Sequence, residues 1–243
     1  MSSEFPPVII LCGGLGTRLK DVVPDVPKAM VSVAGMPFIA HQLQLLAREN
    51  VRHVVLCVSH MQEQIEQFVG DGAAFGLDVS YSYDGPYKLG TGGAVRKALP
   101  LVGEEFAVLY GDTYLDIPFA PVYQTFRDQG RLGLMTVLEN HDRWDKSNIL
   151  FRDGAVKIYE KNSPLKEMRH IDYGLIIISS QAIAAFPLNE PFDLTVLFKQ
   201  LIDADQMSGH EVFNRFYEIG TAQALMETDQ YLRDKVRSST PGR

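Results

Sequence analysis

The chain has 243 residues, of which 46% are hydrophobic and 22% charged, and this composition is ordinary for a water-soluble globular protein. That length suits one α/β domain with a large core. The net charge of -7 argues against a general nucleic-acid-binding protein, so an anionic ligand would have to be held by local cations, backbone N–H groups and a metal ion.

The sequence shows no sign of export or membrane insertion. No segment approaches the roughly 18 apolar residues of a membrane-spanning helix, and the first residues lack the basic and apolar regions of a signal peptide. Cys12 and Cys57 lie in apolar, strand-like runs, where a free thiol packs as a small hydrophobic group. We therefore expect a cytoplasmic protein with reduced cysteines and with no membrane or nucleic-acid partner.

Hydrophobic periodicity predicts alternating strands and helices in the first half of the chain. Strands are predicted at 8–11, 53–58, 77–83 and 106–110, and helices at 37–49, at 61–69 and up to residue 98. Such alternation is typical of a mainly parallel sheet. The second half is mixed: we predict helices at 119–128 and 222–232, and strands at 132–138, 148–151 and 156–160, the last two joined by a hairpin turn at Arg152-Asp153-Gly154.

A glycine-rich loop follows the first predicted strand. It contains Gly13, Gly14 and Gly16, and glycines allow successive backbone N–H groups to converge on an anion. Arg18 and Lys28 can add positive charge on either side. The loop does not fit the dinucleotide fingerprint, which requires glycine in place of Leu19, and the Walker A sequence Gly-Lys-Ser/Thr occurs nowhere in the chain. A turn that only reverses the chain is the alternative.

Two further segments could face the same ligand. Residues 84–94 contain glycines at 90, 92 and 93 and open into a helix, although a plain loop before a helix would look similar. Asp112 follows the strand predicted at 106–110, and in open α/β sheets ligands bind at the carboxyl ends of the strands. A carboxylate there is placed to hold Mg²⁺ on a triphosphate, whereas a turn or cap residue is the alternative.

The combination of these segments resembles the sugar-1-phosphate nucleotidyltransferases. The resemblance lies in Cys-Gly-Gly-Leu-Gly-Thr-Arg-Leu at 12–19, in Val-Pro-Lys-Ala-Met at 26–30 and in Leu-Gly-Thr-Gly-Gly-Ala at 89–94, and it extends over about residues 8–232. It implies a Rossmann-like (GT-A type) α/β/α sandwich with a mixed, mainly parallel central sheet. Within the family, the chain looks most like the heptose-1-phosphate guanylyltransferases, which make GDP-heptose for surface polysaccharide.

The resemblance also implies roles for particular residues. Catalytic roles fall to Arg18, Lys28, Asp112 and Lys161, with Mg²⁺ as the cofactor on Asp112 and Glu218. The implied nucleotide-binding residues are Leu11, Gly13, Gly14, Gly16, Thr17, Arg18, Gly90, Thr91 and Gly93. The implied sugar-binding residues are Gly111, Glu160, Lys161, Asp172 and Gly174.

Several positions leave the assignment open. Asp172 stands where many relatives have asparagine, and a carboxylate accepts hydrogen bonds but cannot donate them as an amide does. Glu218 replaces the aspartate of the second metal position, with the same oxygen chemistry and a longer reach. Glu160 and Lys161 could instead form an exposed ion pair at a strand end. The polar segment 140–148, with Trp144, is either a cap over the sugar site or a mobile loop.

The implied reaction joins a nucleoside triphosphate and a sugar 1-phosphate into a nucleotide sugar and pyrophosphate. Because the sugar phosphate is already an anionic nucleophile, the site needs aligned positive charge rather than a general base. Hexose and N-acetylmuramate 1-phosphate uridylyl-, thymidylyl- and cytidylyltransferases remain alternatives. A non-catalytic nucleotide-sugar-binding protein and a glycosyltransferase are alternatives of other classes, although the latter usually has Asp-x-Asp where this chain has Asp112-Thr113-Tyr114.

We expect one nucleotidyltransferase domain over 1–243. Residues 8–118 would form its nucleotide-binding half and residues 119–232 its sugar-phosphate-binding half. We treat the halves as parts of one domain because no linker rich in proline, glycine or serine separates them. Residues 235–243 are polar and are predicted to be a flexible tail. The resemblance allows a homodimer.

Overall fold

The computed structural model describes residues 4–14, 26–59 and 61–239. Within these residues, nine strands form one sheet. In spatial order they are β5 (Asp78–Tyr83), β4 (His53–Val58), β1 (Val8–Leu11), β6 (Glu105–Tyr110), β11 (His170–Ser179), β8 (Gly133–Glu139), β12 (Met207–Val212), β10 (Ala155–Tyr159) and β9 (Ile149–Arg152).

Most strands of this sheet run in the same direction. Strands β5, β4, β1 and β6 pair in parallel, and β8 pairs in parallel with β12. Strands β11 and β10 run the opposite way, because β11 is antiparallel to both β6 and β8, and β10 is antiparallel to β12 and β9. The mixed, mainly parallel sheet is confirmed.

Helices cover both faces of the sheet. They are α1 (Phe38–Arg48), α2 (Gln62–Val69), α3 (Gly90–Ala98), α4 (Ala120–Gln129), α5 (Ser180–Ala184), α6 (Leu194–Asp203) and α7 (Ala222–Ser239). Alternate residues of β1 point into opposite layers: Val8 and Ile10 belong to the apolar cluster that includes α1, α2 and α4, whereas Ile9 belongs to the cluster that includes α3 and α6. Because β1 is buried on both faces, its sequence is an unbroken apolar run.

Two short ribbons lie outside the main sheet. Strands β2 (Ser32–Val33) and β3 (Met36–Pro37) form one, and β7 (Thr113–Tyr114) and β13 (Tyr217–Glu218) form the other. The second ribbon brings the segment after Gly111-Asp112 against the segment before Gly220, although these segments are far apart in the sequence. Two-residue strands have no readable periodicity, and the sequence predicted neither ribbon.

The predicted strands and helices of the first half are confirmed to within a few residues. The hairpin between β9 and β10 is also confirmed, and Asp153 and Gly154 in its turn have φ values of 53° and 71°, as a tight two-residue hairpin requires. Helix α6 and strand β12 were not predicted. Strand β12 contains serine, glycine, histidine and glutamate, so it lacks an apolar pattern.

The flexible tail was predicted to start at residue 235, which is too early. Helix α7 continues to Ser239, so residues 235–239 are helical, and residues 240–243 lie outside the described residues. The ammonium of Lys235 pairs with the carboxylate of Asp116, which follows strand β7. A contact between residues so far apart in the sequence stabilises the last turns of the helix and has no signature in local composition.

The described residues contain no helix long and apolar enough to cross a membrane. Both cysteines are free and buried, as the sequence predicts.

We expect Phe198→Ala to lower the free energy of unfolding by about 3–5 kcal/mol. The Phe198 ring is fully buried on α6 and lies edge-on to Tyr159 of β10, with 5.6 Å between the ring centroids. Val196, on the same helix, is 44% exposed, so Val196→Ala should change stability by less than about 0.5 kcal/mol. Urea denaturation of both variants measures the difference, and equal losses would contradict the assigned packing of α6.

Candidate functional site

Two adjoining cavities lie at the carboxyl ends of the parallel strands. The first, of about 380 Å³, is lined by the segment after β1, the segment after β6 and the start of α3. The second, of about 610 Å³, is lined mainly by residues of the second half of the chain. Tyr110 and Asp112 line both cavities, so the two spaces meet at the end of β6. This is the edge of an open α/β sheet at which ligands bind.

Lys28 and Asp112 form an ion pair where the cavities meet. Lys28 begins a single helical turn, Lys28–Met30, and its Nζ lies 2.6 Å from Oδ2 of Asp112. The lysine side chain is 14% exposed and the aspartate side chain 34% exposed, so the pair is shielded but open to the cavity. Thr113 donates a hydrogen bond from Oγ1 to the other carboxylate oxygen at 3.2 Å.

Gly111 allows β1 and β6 to approach closely beside this pair. A Cβ atom at Gly111 would lie 2.5 Å from the carbonyl oxygen of Leu11, a distance that real Cβ atoms do not show. Its backbone N–H donates to that same oxygen at 3.1 Å. A side chain at position 111 would therefore separate the two strand ends and displace Asp112.

The predicted nucleotide-binding residues divide into three groups. The residues that line the first cavity are Leu11, Gly13, Gly14, Gly90 and Thr91. Gly93 does not line the cavity; it packs against the chain at Glu190, whose carbonyl oxygen would lie 2.8 Å from a Cβ atom at position 93. Gly16, Thr17 and Arg18 lie outside the described residues, so their roles stay predictions.

The predicted sugar-binding residues are likewise only partly brought together. Lys161 and Asp172 line the second cavity, whereas Gly111 lines the first. Glu160 lines neither of these cavities, and its carboxylate pairs with the ammonium of Lys199 at 2.7 Å. Gly174 lies in β11 with a φ of 107°, beside the ring of Tyr110.

An irregularity in β11 positions Asp172 at the wall of the second cavity. The register between β11 and β8 shifts between Asp172 and Ile176, and the Gly174 N–H donates to Oδ1 of Asp172 at 3.0 Å. The hydroxyls of Tyr110 and Tyr159 both face Oδ2, at 3.0 and 3.4 Å. Burial raises the pKa of the Asp172 carboxyl, and the opposing influences of Lys161 and of the Tyr110 hydroxyl are smaller.

The two predicted metal ligands lie at one end of the ribbon of β7 and β13, since Asp112 directly precedes β7 and Glu218 ends β13. Glu218 pairs with Thr113, the residue after Asp112, and the Ile219 N–H donates to the Asp112 carbonyl at 3.0 Å. Thr228 of α7 is buried and donates from Oγ1 to the Glu218 carbonyl at 2.6 Å. Both carboxylates line the second cavity.

This donor set fits a divalent ion that is also held by phosphate. The described residues contain no group of three or more histidine, cysteine, aspartate or glutamate side chains arranged around a metal. Mg²⁺ is commonly held by one or two carboxylates together with substrate phosphates and water, and Asp112 and Glu218 are two such residues at the end of the ribbon.

Sequence reasoning missed several residues of the second cavity, among them Tyr110 and Arg215. The segment 140–148 forms part of this wall through Arg143, Trp144, Asp145 and Asn148. Its turn is held by hydrogen bonds around the buried Asn140, whose Nδ2 donates to the Asp145 carbonyl at 2.6 Å. The guanidinium carbons of Arg143 and Arg215 lie 4.8 and 5.5 Å from the centre of the Trp144 ring. The sequence signal for this wall was the polar segment 140–148 with its tryptophan.

A family model described as nucleotidyl transferase matches residues 7–148, which is more than half of the chain. The chain belongs to the nucleotidyl transferase family. It is accordingly a nucleotidyltransferase, and members of this family generally use divalent metal ions. The matched range includes the glycine-rich loop, Lys28, the start of α3 and Asp112.

Individual family members agree in reaction class but differ in substrate. The D-glycero-alpha-D-manno-heptose 1-phosphate guanylyltransferase of Campylobacter jejuni is 32% identical over 185 residues, which are 76% of this chain and 80% of the relative. The N-acetylmuramate alpha-1-phosphate uridylyltransferase of Neisseria meningitidis is 36% identical over 118 residues, which are 48% of this chain and 51% of that protein.

A solved structure of the family has the same fold. HddC from Yersinia pseudotuberculosis complexed with GMP-PN superposes with a TM-score of 0.77 at 25% identity, over 94% of this chain and all of the other. The predicted Rossmann-like fold and the predicted family are thereby confirmed.

We expect Asp172→Asn to show a pH-dependent effect on stability. Because folding raises the pKa of Asp172 above the value of about 3.9 for an unfolded chain, its contribution to stability is present at low pH and is lost as the pH rises through the folded pKa. The variant has no such loss, so its unfolding free energy relative to the wild type should rise with pH in that range.

Asp142→Asn is the matched control for this measurement. Hydrogen bonds from Ser147 lower the pKa of Asp142, so its contribution to stability is lost as the pH falls. The relative stability of this variant should therefore fall with rising pH. Urea denaturation across acid to neutral pH measures both slopes, and a flat or negative slope for Asp172→Asn would contradict the assigned environment.

Proposed function

We propose that this nucleotidyltransferase transfers a guanylyl group from GTP to a heptose 1-phosphate in the presence of Mg²⁺, giving GDP-heptose and pyrophosphate. The observation that supports the transfer is the pair of adjoining cavities that share Tyr110 and Asp112. Two substrates bound in such neighbouring spaces would bring their phosphates together beside Lys28. The support for the base and the sugar is the similarity to the Campylobacter jejuni guanylyltransferase, which covers most of both chains.

In this proposal the protein acts by positioning two anions that repel each other. The sugar phosphate is largely ionised at neutral pH, so it can attack the α-phosphate without a side-chain base. Lys161 lines the second cavity and would hold the sugar phosphate, while Lys28 would stabilise the charge that develops on the α-phosphate. Arg18, outside the described residues, would face the leaving pyrophosphate.

Asp112 and Glu218 would hold Mg²⁺, which when bound neutralises phosphate charge and orients the triphosphate. Within the protein, Lys28 balances the charge of Asp112 at 2.6 Å. The carboxylate is therefore held at the cavity junction by a group that can itself bind phosphate.

The second cavity has features suited to a sugar. The Asp172 carboxylate accepts hydrogen bonds and would bind a sugar hydroxyl, with its own position set by Tyr110 and the Gly174 N–H. Trp144 is 36% exposed at the wall and offers an aromatic face to the apolar side of a sugar ring. Glu160 would have to release Lys199 to reach the same sugar.

Uridylyl transfer to N-acetylmuramate 1-phosphate is the second candidate function. It is favoured by the 36% identity to the Neisseria meningitidis uridylyltransferase, which is higher than the identity to the guanylyltransferase but covers a shorter segment. Membership of an enzyme family argues against a purely nucleotide-sugar-binding protein.

We expect Lys28→Ala to lower kcat by about 10²- to 10³-fold, because it removes a charge donor from the point where the phosphates meet. The folded state should persist, since only one partly exposed ion pair is lost. Lys157→Ala is the matched control: Lys157 is exposed on β10 and pairs with Asp205 at 3.7 Å, and its loss should leave turnover unchanged. Near-normal turnover of Lys28→Ala would contradict the role of Lys28.

A substrate matrix tests the proposed base and sugar. Each of GTP, UTP, CTP, ATP and dTTP is mixed with heptose, mannose, glucose and N-acetylmuramate 1-phosphates in the presence of Mg²⁺, and released pyrophosphate is measured after pyrophosphatase treatment. The proposal expects the highest kcat/KM for GTP with the heptose phosphate. Highest activity for UTP with N-acetylmuramate 1-phosphate would establish the second candidate, and no release with any pair would contradict nucleotidyl transfer to sugar phosphates.

A further inference from the structure

The ribbon of β7 and β13, which has the two predicted metal ligands at one end, has little support of its own. Its strands have two residues each, and in the described part of the chain they pair only with each other. Tyr114 pairs with Tyr217, and Thr113 with Glu218. A two-stranded ribbon of this length is not stable alone in water. The relative position of Asp112 and Glu218 must therefore be set by groups that pack on the ribbon from outside.

Tyr231 of α7 covers both strands of the ribbon. Its ring stacks on the ring of Tyr217 in β13, with 3.7 Å between the centroids and 13° between the planes. It also lies edge-on to the ring of Tyr114 in β7, with 6.3 Å between the centroids. Because Tyr114 and Tyr217 are directly opposite each other, the Tyr231 ring bridges the two strands. This bridge lies one residue from Glu218 and two residues from Asp112 along the chain.

Polar contacts hold Tyr231 in this position. Its hydroxyl donates to Oδ2 of Asp116, which lies two residues after β7. Arg48 of α1 donates to Oδ1 of the same carboxylate at 3.2 Å, and the Lys235 ammonium pairs with Oδ2. Asn214, which precedes β13, donates from Nδ2 to the Asp116 carbonyl at 3.1 Å. Helices α1 and α7 and the segments that flank both ribbon strands therefore meet at Asp116.

Strand β13 is also fixed to α7 near Glu218. The guanidinium carbon of Arg215 lies 5.1 Å from the centre of the Tyr217 ring, and the same guanidinium pairs with Glu227 of α7. Thr228, the next residue of the helix, donates its hydroxyl to the Glu218 carbonyl at 2.6 Å. These contacts fix one strand to the helix. The Tyr231 ring extends the same support to the other strand, which leads back to Asp112.

We propose that Tyr231 is a positioning residue for the divalent ion, because its ring holds the two ribbon strands so that the Asp112 and Glu218 carboxylates are ordered before the ion binds. This assignment rests on the proposed function, in which these carboxylates hold Mg²⁺. Ligands that are ordered by folding bind more tightly, since binding no longer has to order them. Removing a group that orients metal ligands from outside typically weakens metal binding by about 10- to 100-fold.

The test measures metal binding without turnover. Each protein is titrated with Mn²⁺ in the presence of the α,β-methylene analogue of the triphosphate that the substrate matrix selects, which is GTP in the proposed function. The analogue has a stable carbon bridge at the bond that the reaction breaks, and water-proton relaxation reports Mn²⁺ held on the protein. We expect Tyr231→Leu to weaken Mn²⁺ binding by at least about tenfold, and Tyr231→Phe, which keeps the ring, by less than about threefold.

Tyr123→Leu is the matched control. Tyr123 of α4 also contacts two aromatic rings, those of Phe5 and Phe126, and donates its hydroxyl to the Glu105 carboxylate at 2.7 Å. Glu105 begins β6, at the end of the strand away from the cavities. The variant should therefore lose stability to a similar extent as Tyr231→Leu and bind Mn²⁺ as the wild type does. Urea denaturation compares the stabilities.

Tyr217→Leu is a second variant that tests the same stack if Tyr231→Leu does not fold. It removes the other stacked ring, so it should weaken Mn²⁺ binding to the same extent, and the two losses should not add in the double variant. Unchanged Mn²⁺ affinity in either folded leucine variant, or an equal loss in Tyr231→Phe, would overturn the role of the Tyr231 ring, while Mn²⁺ binding by the wild type still supported the metal site of the proposed function. Absence of Mn²⁺ binding by the wild type would overturn both.

Discussion

The site depends on the contact between the Lys28 ammonium and the Asp112 carboxylate, at 2.6 Å, where the two cavities meet. Asp112 follows β6, which pairs in parallel with β1, the strand before the glycine-rich segment. Gly111 permits the close approach of the strand ends. The charged pair therefore lies at the carboxyl ends of the buried parallel strands, where a ligand can reach it.

The C-terminal helix stabilises both sides of this arrangement. Asp229 of α7 accepts a hydrogen bond from the Ala34 N–H at 2.7 Å, in the ribbon that follows the Lys28 turn, and Thr228 holds the carbonyl of Glu218. Tyr231 and Lys235, one and two turns further on, contact Asp116 beside the other ribbon. A helix that forms no part of the cavity walls in its second half therefore sets the position of groups on both cavities.

The two cavities differ in chemistry in the way that the two proposed substrates differ. The first combines glycine backbone, apolar side chains and the Lys28–Asp112 pair, which suits a flat base and a chain of phosphates. The second contains several charged side chains and an exposed indole face, which suits a polyhydroxylated ring with a phosphate. Asp112 belongs to both, so the proposed reaction would take place where the two chemistries meet.

The sequence predicted the strands and helices whose bounds depend on local residue patterns. The runs that form β1 and β4 are apolar at nearly every position, and their bounds could be read directly from the sequence. Helix α3 begins at Gly90, within the predicted loop, because Gly92 and Gly93 pack against Phe192 and Glu190. That contact joins residues about a hundred positions apart, so only the folded chain reveals it.

The candidate site, too, was predicted from the sequence only where residue types and short motifs define it. The types of several residues identified Lys28, Asp112 and the glycine-rich loop as members of one site, and the structure brings those that it describes together at one sheet edge. The pairing of Glu160 with Lys199, the two tyrosine hydroxyls on Asp172 and the wall formed by Trp144 depend on tertiary neighbours that no short motif contains.

A crystal structure of the protein with its nucleotide-sugar product bound would test the central claim most directly. The account predicts the nucleoside in the first cavity, the sugar in the second beside Lys161 and Asp172, and the diphosphate passing the Lys28–Asp112 pair. A product bound with its sugar in the first cavity, or with its diphosphate away from Lys28 and Asp112, would contradict it.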